Sequence, residues 1–202
     1  MFTLLCLGDS YTIGESVPLH ESFPYQLTQL LRKAGYDFHA PEIVAKTGWT
    51  SFELLNHLAH IQLNNHYNFV TLLIGVNNQY RNLAVDDFAK DFEKLLKTAI
   101  EFADHQTKSV MVLSIPDWGV TTFGRSKNEQ HEISSAIDQF NAVCEKYAIQ
   151  NNTVFINITE DTRKAKGDTE LLAADGLHYS AKAMKIWAEK VAATIAQALH
   201  HN

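Results

Sequence analysis

No apolar stretch in this sequence approaches the ~20 residues that a membrane-spanning helix requires, so stable insertion into a bilayer is not expected. Cysteine is nearly missing. Cys6 lies in an apolar run and Cys144 in a helical pattern, with no CxxC spacing and no histidine at ligand distance. Both read as small buried hydrophobes rather than as metal ligands or a disulfide pair. Positive charge is also short: 17 Lys+Arg stand against 23 Asp+Glu, for a net charge of -6, and the basic residues are spread along the chain. Without a basic stripe neither nucleic acid nor an anionic membrane surface is an expected partner, which leaves a small molecule that is not strongly anionic. Linkers, internal repeats and low-complexity tracts are lacking too, and 202 residues without them read as a single domain over residues 1–202. No basic stretch precedes the first apolar run, residues 2–7, which is too short for the core of a signal peptide. It reads as a first strand, and the chain as written reads as cytoplasmic.

What the sequence does contain is the material for a core, with 46% apolar and 20% charged residues. Apolar runs at residues 2–7, 42–45, 69–74, 110–115 and 154–158 suit buried strands. Helical period fills the intervals, at residues 24–34, 52–63, 88–103, 133–149 and 181–199. Ser22, the Asp86-Asp87 pair and Ser180 supply capping chemistry at three of the helix starts. Strict alternation of strand and helix predicts an α/β fold, a three-layer α/β/α sandwich around a five-stranded parallel sheet, because parallel neighbours need a crossover element. A flavodoxin-like strand order is expected. In such sheets ligands bind beyond the carboxyl ends of the strands, where the order reverses.

Four polar segments fall in loops, three of them at those ends. Gly8-Asp9-Ser10-Tyr11-Thr12-Ile13-Gly14 follows the first strand and would leave the Ser10 hydroxyl at the sheet edge, although a lone serine there equally suits a cap or turn. Lys46-Thr47-Gly48-Trp49-Thr50 follows the second, with a glycine that is either a plain turn or a close backbone approach to a ligand. Gly75-Val76-Asn77-Asn78-Gln79 follows the third. Ahead of the last helix, Asp175-Gly176-Leu177-His178 sets an acid and an imidazole three residues apart. A serine nucleophile needs a base within hydrogen-bond reach, and the base needs an acceptor to fix its tautomer; one loop holds both.

Taken in this order, the segments resemble the GDSL/SGNH hydrolases, a family of serine esterases and lipases. Gly8-Asp9-Ser10 with Gly14 is similar to the family's first block, Gly48 to its second, Gly75-Val76-Asn77 to its third, and Asp175-Gly176-Leu177-His178 to its fifth. The resemblance spans nearly the whole chain. It implies the SGNH hydrolase fold, with Ser10 as nucleophile, His178 as general base and Asp175 as its partner. It further implies an oxyanion hole of the Ser10 and Gly48 backbone N–H groups and the Asn77 side-chain amide, with neither metal nor organic cofactor. The implied substrate is a small acyl ester; short acyl esters, acetylated sugars, lysophospholipids and thioesters all fit. Two positions depart from the family pattern: Tyr11 stands where a leucine is usual, and Asn78 where an aspartate is. Asn78 lacks the charge of the carboxylate and adds a donor, so what the carboxylate accepts has to be satisfied otherwise.

Residues 116–125 are long, aromatic and glycine-punctuated, and suit either an acyl-pocket wall or lid or a packed surface loop. Trp49, Tyr80 and Arg81 read as structural before substrate-binding, and the His200-His201 pair as a solvated tail. The competing reading of the whole is a flavodoxin-like module whose Gly8 to Gly14 loop cradles a phosphate or nucleotide. That loop has no GxGxxG, no GxxxxGK[ST] and no Lys or Arg. A catalytically dead relative that binds acylated ligands would have little use for both Asp175 and His178.

Overall fold

A computed structural model describes residues 1–200. The chain alternates as expected: β1 (Leu4–Gly8), α1 (Ser10–Ile13), α2 (Phe23–Lys33), β2 (Glu42–Ala45), α3 (Ser51–Leu58), β3 (Phe69–Leu73), α4 (Val76–Tyr80), α5 (Val85–Phe102), β4 (Val110–Leu113), α6 (Thr122–Arg125), α7 (Gln130–Gln150), β5 (Val154–Ile156), α8 (Thr159–Arg163) and α9 (Ala181–His200). The strands form one parallel sheet of order β2-β1-β3-β4-β5, the flavodoxin-like arrangement. β1, β3 and β4 are buried along their whole length, as strands covered on both faces must be. α2 packs against α9, while α5 packs between α3 and α7. Their apolar stripes do the covering: α5 buries Phe88, Phe92, Leu95, Leu96 and Ala99, and α9 buries Met184, Trp187, Val191 and Ile195. Cys6 and Cys144 are free and buried, and burial pushes the Cys6 thiol up to about 12.

Strand register sets where the loops emerge. Gly8 lies opposite Ala45 of β2 and Leu73 of β3, so the three loops that carry Ser10, Gly48 and Asn77 leave the sheet at one level. The chain steps from β1 outward to β2 and then back across to β3, which puts the reversal of strand order at this point.

Several boundaries fall short of the apolar runs. β4 and β5 stop at Leu113 and Ile156 because side chains take over from the ladder. The Ser114 hydroxyl accepts from the Ile158 and Thr159 N–H groups, and Asn141 Oδ1 accepts from the Ile115 N–H at 2.6 Å. α3 ends at Leu58 rather than 63 because the last turn tightens and the His60 ring engages the Asn56 carbonyl at 2.6 Å. Two expected caps act differently: the Ser22 hydroxyl donates to Leu19 O and the Ser180 hydroxyl to Glu170 O. Side-chain caps come instead from Asp9, Thr50 and Thr121. Of the terminal histidines, His200 is exposed as expected but ends α9, with its Nε2 3.0 Å from the Tyr36 hydroxyl. His201 is outside the described residues.

Candidate active site

Ser10 is the first residue of α1, so its backbone N–H has no acceptor within that helix. Asp9 caps α1 by accepting the Tyr11 N–H at 3.0 Å, and Gly14 ends it at φ 78°. Asp9 is shut away from water, and burial pushes its carboxyl up to about 7 against the N–H that favours the charged form.

The β2 loop turns at Gly48 with φ 84°, a left-handed conformation that only glycine adopts at little cost, and the nearest atom to a Cβ there would be 3.7 Å away. Backbone geometry rather than crowding therefore selects glycine. The loop is held from α4 and the residue after it at two successive carbonyls: Arg81 Nη2 donates to Gly48 O at 2.5 Å, and Asn77 Nδ2 to Trp49 O at 2.9 Å. One amide hydrogen of Asn77 is thus engaged, which fixes the group and leaves the second free of that bond. The neighbouring Asn78 is buried. Its Oδ1 accepts the Ser51 N–H at 2.9 Å, its Nδ2 donates to Ser51 Oγ at 2.9 Å, and that hydroxyl reaches Asp91 Oδ2 at 3.3 Å. The amide therefore does the accepting that a carboxylate would, and its extra donor is relayed to a carboxylate supplied by α5.

Asp175 and His178 are joined directly, Oδ2 to Nδ1, at 2.6 Å. Asp175 Oδ1 also accepts the Leu177 and His178 N–H groups, at 2.9 Å each, and the Ser16 hydroxyl donates to Oδ2 at 2.6 Å. Burial acts to raise the Asp175 carboxyl, but these donors together outweigh it and hold it well below the usual carboxylate range. With Nδ1–H donating to the carboxylate, Nε2 is the accepting nitrogen. The loop is pinned by a bridge between Leu172 and Tyr179, by the Ala173 N–H on His178 O, and by the Tyr179 hydroxyl on Asp117 O at 2.8 Å. Tyr11 packs edge-on to the His178 ring at 5.9 Å and also meets Tyr179 and Trp187. The departure from leucine thus widens the support behind the imidazole.

Ser10, Gly48, Asn77 and His178 line one cavity of about 180 Å³ at the carboxyl edge of the sheet. No hydrogen bond joins Ser10 to His178 among the described residues; catalytic contacts of this kind often tighten only once substrate is present. The remaining wall is largely apolar, with Val76, Tyr80, Trp118 and Leu177. Residues 116–125 thus contribute a wall through Trp118, whose indole N–H donates to Gln79 Oε1 at 2.6 Å, while the Phe123 N–H ties the segment to Gly176 O. Tyr80 stands edge-on to Trp118 at 5.2 Å and lines the cavity, whereas Trp49 does not line it and packs at a tilt against His57 at 4.7 Å. Among the described residues no group of three or more His, Cys, Asp or Glu side chains is placed to hold a metal ion. Ser16 and Asp91 carry no motif signal in the sequence; only the fold brings them to the site.

The model of the GDSL-like lipase/acylhydrolase family matches residues 6–186. No curated protein sequence matches the chain. Among solved structures, TesA is similar at 22% identity and a TM-score of 0.75, covering 96% of this chain and 97% of that one. The psychrotrophic esterase EstA from Pseudoalteromonas sp. is similar at 18% identity and a TM-score of 0.74, covering 99% and 100%. Axe2, an acetylxylan esterase from Geobacillus stearothermophilus, is similar at 17% identity and a TM-score of 0.76, covering 96% and 94%. At these identities the likeness is one of fold.

Proposed function

The chain belongs to the GDSL-like lipase/acylhydrolase family and is a carboxylic ester hydrolase, and from that premise we propose that it cleaves small acyl esters through an acyl-enzyme on Ser10. The observation that carries the reading is the 2.6 Å contact of His178 with Asp175, beside a cavity that Ser10 shares. In the first half-reaction Ser10 Oγ attacks the ester carbonyl carbon while His178 Nε2 takes the hydroxyl proton, and Asp175 stabilises the imidazolium that results. The carbonyl oxygen becomes the oxyanion, held by the Ser10 and Gly48 N–H groups and the second amide hydrogen of Asn77. Collapse breaks the bond to the alkoxy group, which leaves as the alcohol with the proton from His178. Water, deprotonated by His178, then attacks the acyl-enzyme; its collapse frees the acid and restores the Ser10 hydroxyl.

A cavity of about 180 Å³ with an apolar wall favours a short acyl group, since it is below the ~300–1,000 Å³ of pockets that take drug-sized ligands. Covalent labelling with a fluorophosphonate tests the nucleophile. Wild type is expected to label at one site, Ser10→Ala not at all, and His178→Ala far more slowly because the hydroxyl has lost its base. A folded wild type that stays unlabelled would falsify the assignment, and is the outcome expected of a phosphate-binding module.

A further inference from the structure

The turn that follows α1 carries two side chains that leave the nucleophile segment for the other loops of the site. Glu15 accepts from the Thr47 hydroxyl, next to Gly48, and Ser16 donates to Asp175 Oδ2 at 2.6 Å, across 159 positions of sequence. That oxygen is the one that accepts from His178 Nδ1 at 2.6 Å. The other carboxylate oxygen is fixed by the Leu177 and His178 N–H groups. With Ser16 in place both ends of the carboxylate are held by protein donors besides the imidazole; without it, Oδ2 is held by the ring alone. The backbone points the same way. Ser16 sits at φ 68°, in the left-handed region, where a residue with a side chain is disfavoured and glycine would cost less. A turn needing only its shape is served better by glycine; a serine at this φ offers a hydroxyl aimed at Asp175.

We propose that Ser16 is a positioning residue for ester hydrolysis, which acts by holding the Asp175 carboxylate in line with His178 Nδ1. The inference rests on Ser10, Asp175 and His178 working as nucleophile, acid partner and base. When the imidazole takes the Ser10 proton it becomes a cation whose orientation depends on that carboxylate, so a loosened Asp175 slows the chemical step while leaving the cavity that binds substrate unchanged.

Ser16→Gly removes the hydroxyl and suits the backbone, which separates the two roles. Hydrolysis of nitrophenyl acetate is measured for wild type, Ser16→Gly, Asp175→Ala and the double variant. The expected result is a kcat lowered roughly fivefold to tenfold in Ser16→Gly, the scale of a hydrogen bond to a charged, partly exposed group, with KM within twofold. The melting temperature of that variant is expected to match or exceed that of wild type. In the Asp175→Ala background the further loss of Ser16 should change kcat by less than twofold, because the residue acts only through the carboxylate. Ser16→Gly at the wild-type kcat, or an undiminished loss in the double variant, overturns the role of Ser16 while leaving the triad in place. Asp175→Ala at the wild-type kcat overturns the triad reading itself and the role of Ser16 with it.

Discussion

At the scale of single residues, the proposed oxyanion role of Asn77 predicts a split between binding and chemistry. Negative charge grows on the substrate oxygen only toward the transition state, so a donor aimed there raises kcat more than it tightens ground-state binding. Asn77→Ala is expected to lower kcat by roughly a hundredfold and to leave KM within a few-fold; a KM that rises by the same factor with kcat unchanged would make Asn77 an ordinary binding residue. Part of the loss comes through the loop, because Asn77 also donates to Trp49 O. As members of the candidate site, Ser10, Gly48, Asn77, Asp175 and His178 are legible in the sequence because each sits in a short polar segment whose neighbours are fixed by strand ends or by the start of the last helix. All but Asp175 line the cavity, and Asp175 is bonded to one that does. Ser16 and Asp91 are not legible: a lone serine in a turn and an acidic residue on a helix carry no local pattern, and their partners lie far along the chain.

At the scale of elements, α1 carries Ser10, the proposed nucleophile, and its cap is a carboxyl group buried away from water. The native Asp9 carboxyl keeps its proton up to about pH 7, whereas in the unfolded chain it gives it up near its ordinary value of 3.8. Between those two values the native state holds one proton more than the unfolded state, so this group makes stability fall as pH rises through the window, opposite to a paired carboxylate. Asp9→Asn keeps an oxygen to accept the Tyr11 N–H but has no charge to bury. The variant is expected to gain in melting temperature over wild type as pH goes from 4 to about 7.5, with the gap level above that; parallel curves for the two proteins would refute it. Elements themselves are largely legible, because buried parallel strands are continuous apolar runs and the helices carry a clear period. Their ends are less so. The Thr50-x-x-Glu53 capping box that starts α3 is a readable pattern, but the apolar period that marks this helix begins only at Phe52, inside its first turn. The stops of β4 and β5 depend on Ser114 and Asn141, which only the fold brings together.

At the scale of the whole molecule, the cavity is a gap between loops that are each tied to the sheet or to one another. Trp118 is anchored on Gln79 and backed by Tyr80, so lengthening the cavity requires breaking a buried hydrogen bond. Among nitrophenyl esters from acetyl to palmitoyl, kcat/KM is expected to be highest for the shortest chains; a rate that climbs steadily to palmitoyl would overturn the short-acyl reading. The order of the parts along the chain has a consequence for how the enzyme is made. Ser10 lies on the first helix, whereas His178 lies three residues before the start of α9, which packs on α2. A ribosome builds from the amino end and domains settle as units, so through most of synthesis the nascent chain carries Ser10 without His178, its proposed base. On those proposed roles reactivity arrives with the closing turn of the fold, and a copy truncated before His178 is expected to stay unlabelled by a fluorophosphonate.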